Sequence, residues 1–405
     1  MTYLKTAKEK KQLCFTYLTF MLNGLLALSI GSLLPFIRDA RGLSYVFAGT
    51  IVSLHSIGNL ISGFAAGALP VIIGRKKTIL LFNACYCISY VLIAFGTGNV
   101  PLVLAFFMTG LARGATSNFG NYAVNNLAPG RAAYLNALHA MFSIGAFIFP
   151  IFLTLLTGAD GRRWIYACYF MIVMGILSWL LYFLIPIEAE KGTKKADDRG
   201  NAGVGFLQEP LFYICSFTLF FYLCAEQGVI GWLITYFVDT GFMSGALSQL
   251  MASVLWVMML AGRLTTAWMS RKFSKEKLLL VMGTGIVFFF FWLLFSKSTG
   301  MIVMGIIGFG YSMAGIYPTT VSFCGGLIKK YTMAWSFILT LASLGSIIMP
   351  SIIGKIAESA GIVYGMSSVA VVIIIDFLLI AALNIYMKKT GGKADANRKK
   401  QDMEL

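Results

Sequence analysis

Charged residues are scarce in this 405-residue chain: Asp, Glu, Lys and Arg together supply 12% of it, about half the share usual in a soluble domain. A water-soluble protein must clothe itself in polar groups. With 58% hydrophobic residues and a mean hydropathy of +0.81, too few remain to do so. Histidine is scarcer still, with two residues, and the seven cysteines are scattered through apolar runs with no CxxC and no pair in a loop. That excludes a zinc site and a disulfide scaffold, leaves the cysteines as reduced packing residues, and predicts neither metal nor cofactor. No nucleophile–base pattern or phosphate-binding glycine loop is present, so an enzyme is not expected. Acids are outnumbered by bases, 16 to 32, a net charge of +16. The bases fall in short clusters between apolar runs, which is the pattern of membrane topology and not of a nucleic-acid-binding face. The leading MTYLKTAKEKKQ lacks a following small-residue cleavage site, so the first apolar run reads as a retained span and not as a signal peptide.

What is present is long apolar runs. A helix needs about 20 apolar residues to cross the hydrocarbon core. Reading breaks at charge clusters and Gly/Pro turns gives twelve such spans, at about 12–36, 44–69, 77–97, 100–127, 132–157, 163–187, 209–238, 243–269, 276–296, 300–327, 331–357 and 361–387; these are spans 1 to 12. Runs such as VVIIIDFLLIAAL are continuous and not alternating, which argues against a β-barrel. Placing the N-terminus inside puts 24 Lys and Arg on cytoplasmic segments. Six lie outside, at Arg38, Arg41, Arg162, Arg163, Lys297 and Lys355. This asymmetry predicts a multi-pass plasma-membrane protein with both termini cytoplasmic and its basic loops against anionic lipid headgroups. The polar stretch 188–208 is a cytoplasmic linker, so the chain reads as six spans in 1–187, six in 209–388, and a cytoplasmic tail, 389–405, expected to be unstructured.

The halves repeat. Gly145 and Pro150 in GAFIFP recur 200 positions on as Gly345 and Pro350 in GSIIMP. Gly110 meets Gly310, and the basic loop at Gly74–Lys77 meets Ser274–Lys277. The same helix-breaking residues at the same depth indicate two six-helix bundles related by an axis along the membrane normal, with a cavity between them near the midplane.

The loop GALPVIIGRKK resembles the signature G-x-L-x-D-[RK]-x-G-R-[RK] that the major facilitator superfamily carries between its second and third spans. Gly67, Leu69, Gly74, Arg75 and Lys76 match, and Val71 stands at the acidic position. The resemblance covers essentially the whole chain. It implies an all-α membrane protein with twelve transmembrane helices in two six-helix bundles, and gating residues at Gly67, Gly74, Arg75, Lys76 and, in the second half, Arg263. In the family the missing carboxylate helps latch the bundles, so gating here is expected to use other contacts. The stretches CAEQGVIGWLITYF, AGR at Ala261–Arg263, and N-x-L-H-x-x-F-x-x-G-A from Asn136 resemble the fucose-permease-like branch. They imply a sugar or similar polar neutral solute. The acidic residue that this branch often has in span 4 is absent from RGATSNFGNYAVNN.

A charge at mid-bilayer costs roughly 2.5–3.5 kcal/mol on insertion scales, so buried polar residues are the candidates for function. Glu226 lies in mid-span 7 with Tyr222 one turn away on the same face. A desolvated carboxylate there suits proton coupling, and the alternatives are a substrate ligand or a structural hydrogen bond. Arg113, between Gly110 and Gly114, suits substrate or proton handling, or else a structural pair. Asn118, Asn121 and Asn125 form an amide stripe on span 4, and Asn136, His139 and Ser143 one on span 5; Asn23, His55 and Asn59 add polar groups on spans 1 and 2. Amides suit hydroxyl-rich solutes and equally hold helices together. The histidines are expected neutral and hydrogen-bonded, with His139 a further candidate on the proton route. Gln227, Trp232, Tyr236, Trp256, Tyr311 and Tyr317 complete the candidate substrate wall. Asp376, in VVIIIDFLLI, is expected to form a structural pair without a transport role. The reading is a secondary active transporter of a small polar solute, a sugar by the resemblance, in symport with protons and acting as a monomer. Its alternative is a proton-coupled exporter of drugs or metabolites. The antiporter signature G-x-x-x-G-P of span 5 is replaced by SIGAFIFPIF, which weighs against export.

Overall fold

In the computed structural model, residues 6–128, 132–158, 161–187, 205–331 and 333–403 are described. Twelve helices in them are long and apolar enough to span a membrane. Spans 1 to 6 are Ala7–Arg41, Tyr45–Ala68, Arg75–Phe95, Asn99–Leu127, Ala132–Thr157 and Trp164–Leu184. Spans 7 to 9 are Pro210–Asp239, Gly245–Met269 and Lys275–Phe295. Span 10 is Thr299–Met313 continued by Ile316–Phe323, span 11 is Ala334–Ala360, and span 12 begins the helix Ile362–Met403. The linker as far as residue 204, and Arg131, lie outside the described residues.

The helix ends carry the chemistry expected of them. Thr6 and Glu9 close a capping box at the start of span 1, and Gly42, at φ 59°, ends it. Ser44, Ser274 and Ser298 cap spans 2, 9 and 10 through their hydroxyls. Two features depart from the sequence reading. Span 10 is not continuous: Pro318 has no N–H, and its ring crowds the carbonyl four residues back, at Ala314, where the helix breaks. The last helix runs through the expected tail to Met403, a lysine-rich stretch that is free of proline although it contains Gly391 and Gly392.

The chain forms two compact units. One comprises residues 1–195, 227–257 and 347–366; the other comprises 196–226, 258–346 and 367–405. In the first, span 2 packs on span 4 and span 1 on span 5. Ile79, Phe82, Ala115, Phe119, Ala123, Tyr182 and Ile185 form a core between spans 3, 4 and 6. In the second, span 9 packs on span 10, and Phe377 and Ile380 of span 12 lie against Gly283 of span 9. The repeat seen in the sequence recurs as contacts inside each unit. A Cβ on Gly145 of span 5 would collide with the Met21 carbonyl of span 1, and one on Gly345 of span 11 with the Phe220 carbonyl of span 7. Gly58 of span 2 meets the Phe107 carbonyl of span 4 in the same way, and Gly262 of span 8 the Tyr311 carbonyl of span 10. Small residues let these backbones touch.

Candidate functional site

Three polar groupings sit within the membrane-length helices. The first joins spans 1, 2 and 4. His55 is 3% exposed. Its Nε2 lies 3.2 Å from Arg113 Nη1, and its Nδ1 lies 2.8 Å from the Thr109 hydroxyl, which donates to the Phe106 carbonyl at 2.6 Å. A guanidinium has donors only. His55 Nε2 must therefore accept from Arg113, the ring is neutral, and its proton sits on Nδ1, where it is donated to Thr109. Asn23 joins from span 1, its amide donating to the Ser117 hydroxyl at 3.0 Å and to the Arg113 carbonyl at 3.5 Å. This is a directed chain of buried and half-buried hydrogen bonds with a cation at its head, and where it is buried low polarity strengthens each bond.

The second grouping is on span 7 and its neighbour. The Tyr222 hydroxyl donates to Glu226 Oε1 at 3.0 Å, and the Tyr222 and Tyr317 rings lie 6.1 Å apart. Glu226 is 8% exposed. Arg263 and Asp376 both act electrostatically on the Tyr222 hydroxyl. Tyr222, Glu226, Arg263, Tyr317 and Asp376 thus belong to one region of the second unit.

The third lies in the first unit and escaped the sequence reading. Arg38 grips the Asp239 carboxylate with both terminal nitrogens, Nη2 to Oδ1 at 2.7 Å and Nη1 to Oδ2. It also donates to Asp39 Oδ1 from Nε and Nη2, at 3.0 and 2.7 Å. Its guanidinium lies 4.7 Å from the centre of the Tyr45 ring. The Tyr45 hydroxyl donates to Asp239 Oδ2 at 2.6 Å and its backbone N–H to Glu358 Oε2 at 2.7 Å. Further along the same helices, Ser53 bonds Ser351 at 2.8 Å and the Trp232 indole donates to the Pro350 carbonyl at 3.1 Å. Gln249 Nε2 donates to the Ser32 carbonyl at 2.8 Å and the Ser253 hydroxyl to the Phe147 carbonyl at 3.0 Å. Gln249, Ser253 and Trp256 share one helical face, and Trp256 meets Phe142 with ring centres 5.6 Å apart. Polar contacts thus lace the ends of spans 7, 8 and 11 to spans 1, 2 and 5. From sequence Arg38 reads only as a topology marker. The legible sign was Asp239, an acid at the end of a span in a chain short of acids.

The other predicted residues are dispersed. Asn118 is exposed and donates to the Gly63 carbonyl of span 2 at 3.2 Å, and Asn121 donates to the Ser117 carbonyl of its own helix at 2.8 Å. Both amides are used by backbone, and neither joins the Asn23–His55–Arg113 chain. Asn59 is half-buried, its carbonyl against Gly114. His139 is exposed, edge-on to Phe20 at 5.6 Å. Gln227 is half-buried, Tyr236 is buried against Phe237 and Phe242, and Tyr311 is exposed. Gly74 takes φ 84°, a turn that a side chain would strain, while Gly67 has open space beside it. Arg75 stacks on Tyr122 of span 4 with 3.4 Å from its guanidinium carbon to the ring centre. Lys76 donates to the Phe183 and Ile185 carbonyls, each at 2.6 Å, closing the C-terminal end of span 6. Asp376 departs from its expectation. It has no ion-pair partner among the described residues, and its Oδ1 has no hydrogen bond.

Twelve membrane-length helices with buried polar chains define a multi-pass membrane protein built as transporters are. The chain belongs to the Major Facilitator Superfamily, whose sequence pattern matches residues 16–350. It is similar to the "Protein TsgA homolog" of Yersinia pseudotuberculosis serotype O:1b (strain IP 31758), 22% identical over 380 residues that cover 92% of this chain and 95% of that one. Its relative of the same name in Yersinia pestis (strain Pestoides F) matches equally. Among solved structures, a mutant form of the nucleoside transporter NupG superposes with a TM-score of 0.77 at 13% identity, covering 92% of this chain and 99% of that one. A bacterial homologue of the human lysosomal transporter Spinster, inward-facing and unoccupied, gives 0.75 at 13% identity, covering 95% and 98%. At these identities the likeness to the two structures is one of fold.

Proposed function

We propose that this protein is a secondary active transporter that carries a small polar solute across the plasma membrane by alternating access, as a sugar:proton symporter resembling the fucose-permease-like branch. In this reading the two six-span repeats, 1–187 and 209–388, are the moving bodies and both termini are cytoplasmic. Twenty-four of the Lys and Arg then face the cytoplasm, and the Arg38–Asp239–Tyr45 grouping lies at the external face as the closed outer gate.

The observation that carries the reading is the composition of that closure. It combines side-chain hydrogen bonds and one bidentate ion pair between helices with packed aromatic side chains such as Trp256 on Phe142. Water can take over each polar partner when those hydrogen bonds and that ion pair separate. Proton coupling is supported by Glu226, an acid within a membrane span that keeps a hydroxyl donor one turn away. A polar neutral solute is supported by the Asn23–Ser117–Arg113–His55 chain, which offers donors and acceptors side by side. The NupG and Spinster likenesses are compatible with small-solute transport, and they do not choose the solute.

The test is a thermal-shift screen of the purified protein against hexoses, nucleosides and organic acids, followed by uptake into proteoliposomes. A solute at a hundredfold excess over its dissociation constant stabilises the folded form by about 2.7 kcal/mol. Symport predicts that an imposed inward proton gradient drives accumulation of the stabilising solute. It also predicts that Glu226→Gln abolishes accumulation and leaves solute exchange. Accumulation by Glu226→Gln at the wild-type level removes Glu226 from the coupling role. Accumulation driven by an outward proton gradient replaces symport with the export reading.

A further inference from the structure

Span 12 buries one stripe of its surface, running through Met366, Val369, Ile373, Ile380 and Leu383, each no more than 3% exposed. These positions follow the three-and-four spacing of a packed helix face. Asp376 occupies the position in that stripe between Ile373 and Ile380. It is 4% exposed and stands at the centre of the 28-residue membrane-length stretch Ile362–Lys389. The stripe packs inward: Phe377 and Ile380 lie against Gly283 of span 9. Asp376 therefore faces protein and not lipid, at the depth where water is least available.

What surrounds it does not suit a charge. Asp376 Oδ1 has no hydrogen-bond partner, and Asp376 joins no ion pair among the described residues. Asp376 acts electrostatically on Tyr222 and Cys224 of span 7. Glu226 and Arg263 act on the same Tyr222 hydroxyl. Spans 9 and 11 bring no ionisable side chain over 278–295 and 334–354. An ionised Oδ1 here would have neither a cation nor a hydrogen-bond donor to replace its hydration. A carboxylic acid would be neutral and would fit the apolar stripe.

We propose that Asp376 is a second proton-binding carboxyl of this protein, holding a proton in the arrangement seen here, within the same unit as the Tyr222–Glu226 pair. Protonation joins one H⁺ to the carboxylate and release returns it, with no other bond changed. The use of this proton in transport rests on the proton-coupled reading above; the protonation itself does not.

The experiment is infrared difference spectroscopy of the full chain in lipid nanodiscs at neutral pH, wild type against Asp376→Asn and Asp376→Glu. The expected result is a protonated-carboxyl C=O band in the wild type that is lost in Asp376→Asn and displaced in Asp376→Glu. In parallel, dicyclohexylcarbodiimide, which reacts with protonated carboxyls in apolar surroundings, should modify the Asp376 peptide of the wild type and leave that peptide unmodified in Asp376→Asn. If only an ionised-carboxylate band disappears in Asp376→Asn, or no carboxyl band changes, the proposal is overturned. Asp376→Glu keeps a carboxyl in place, so it answers the question if the asparagine variant does not fold. Gradient-driven uptake of a hexose or nucleoside is measured separately. A failure of coupled transport would show there, and a failure of the Asp376 assignment in the infrared.

Discussion

At the scale of single residues, the clearest chemistry is the chain Arg113–His55–Thr109. Direction in a hydrogen-bond chain is set by its least flexible member, here a guanidinium that can only donate. The consequence is one tautomer, and it can be observed. The chain has two histidines, so ¹⁵N-histidine labelling of a His139→Asn variant leaves a single imidazole to read. At neutral pH its Nδ1 should be protonated and its Nε2 bare. An imidazolium, or a proton on Nε2, would contradict the geometry. Replacing Arg113 with Gln should weaken the fixed tautomer without emptying the cluster, since the amide can still donate. The sequence made Asn23, His55 and Arg113 legible as polar residues in apolar spans. It could not show that they meet, because they lie on three helices brought together only by tertiary packing. Asn118 and Asn121 carried the same signal and were drawn instead to carbonyls of span 2 and of their own helix. Spacing places an amide on a face, and the carbonyl within reach decides its partner.

At the scale of helices, the order and number of the spans were readable from hydropathy because a bilayer permits few alternatives: every backbone group must be satisfied within its own helix. The break in span 10 was readable in principle from Pro318, but the run 300–327 hid it because apolarity continues across the gap. Helix contacts were readable only as repeats. Gly145 and Gly345 suggested equivalent positions, and each presses its backbone on the helix of the corresponding number, span 1 or span 7. That equivalence gives a paired prediction. Gly145→Leu and Gly345→Leu each place a side chain against a carbonyl that belongs to a packed helix and cannot move alone. Overpacking of this kind costs about 1–3 kcal/mol, so both variants should unfold at lower temperature in detergent. Gly67→Leu, beside open space, should melt like the wild type. Equal melting of all three would mean that the glycines are incidental. The signature loop also acts on helices: Lys76 closes the end of span 6 and Arg75 stacks on span 4, which needs no carboxylate at Val71.

At the scale of the whole molecule, transport requires two states close in free energy, because a closure that is too stable holds the protein in one of them. In the proposed reading the Arg38–Asp239 grouping bears directly on that balance. Both side chains are nearly enclosed, at 11% and 12% exposure, so the pair is neither freely solvated nor sealed in an apolar core. Hydrogen bonds to charged groups contribute about 1.5–3 kcal/mol. Asp239→Asn keeps an oxygen for the Tyr45 hydroxyl, removes the charge, and should move the equilibrium between closed and open by roughly ten- to hundredfold. A cysteine at Ser351, in a background without other cysteines, reports on this directly, since Ser351 is bonded to Ser53 within the closure. In intact cells an impermeant maleimide should modify Ser351→Cys slowly when Asp239 is present and much faster with Asp239→Asn. Arg38→Gln should give a similar acceleration, and the double variant little more than either alone, because both changes break the same pair. Fully additive rates would mean that the two residues act separately. Labelling only from the cytoplasmic side would invert the topology drawn from the 24 basic residues, and the closure would then guard the other face of the membrane.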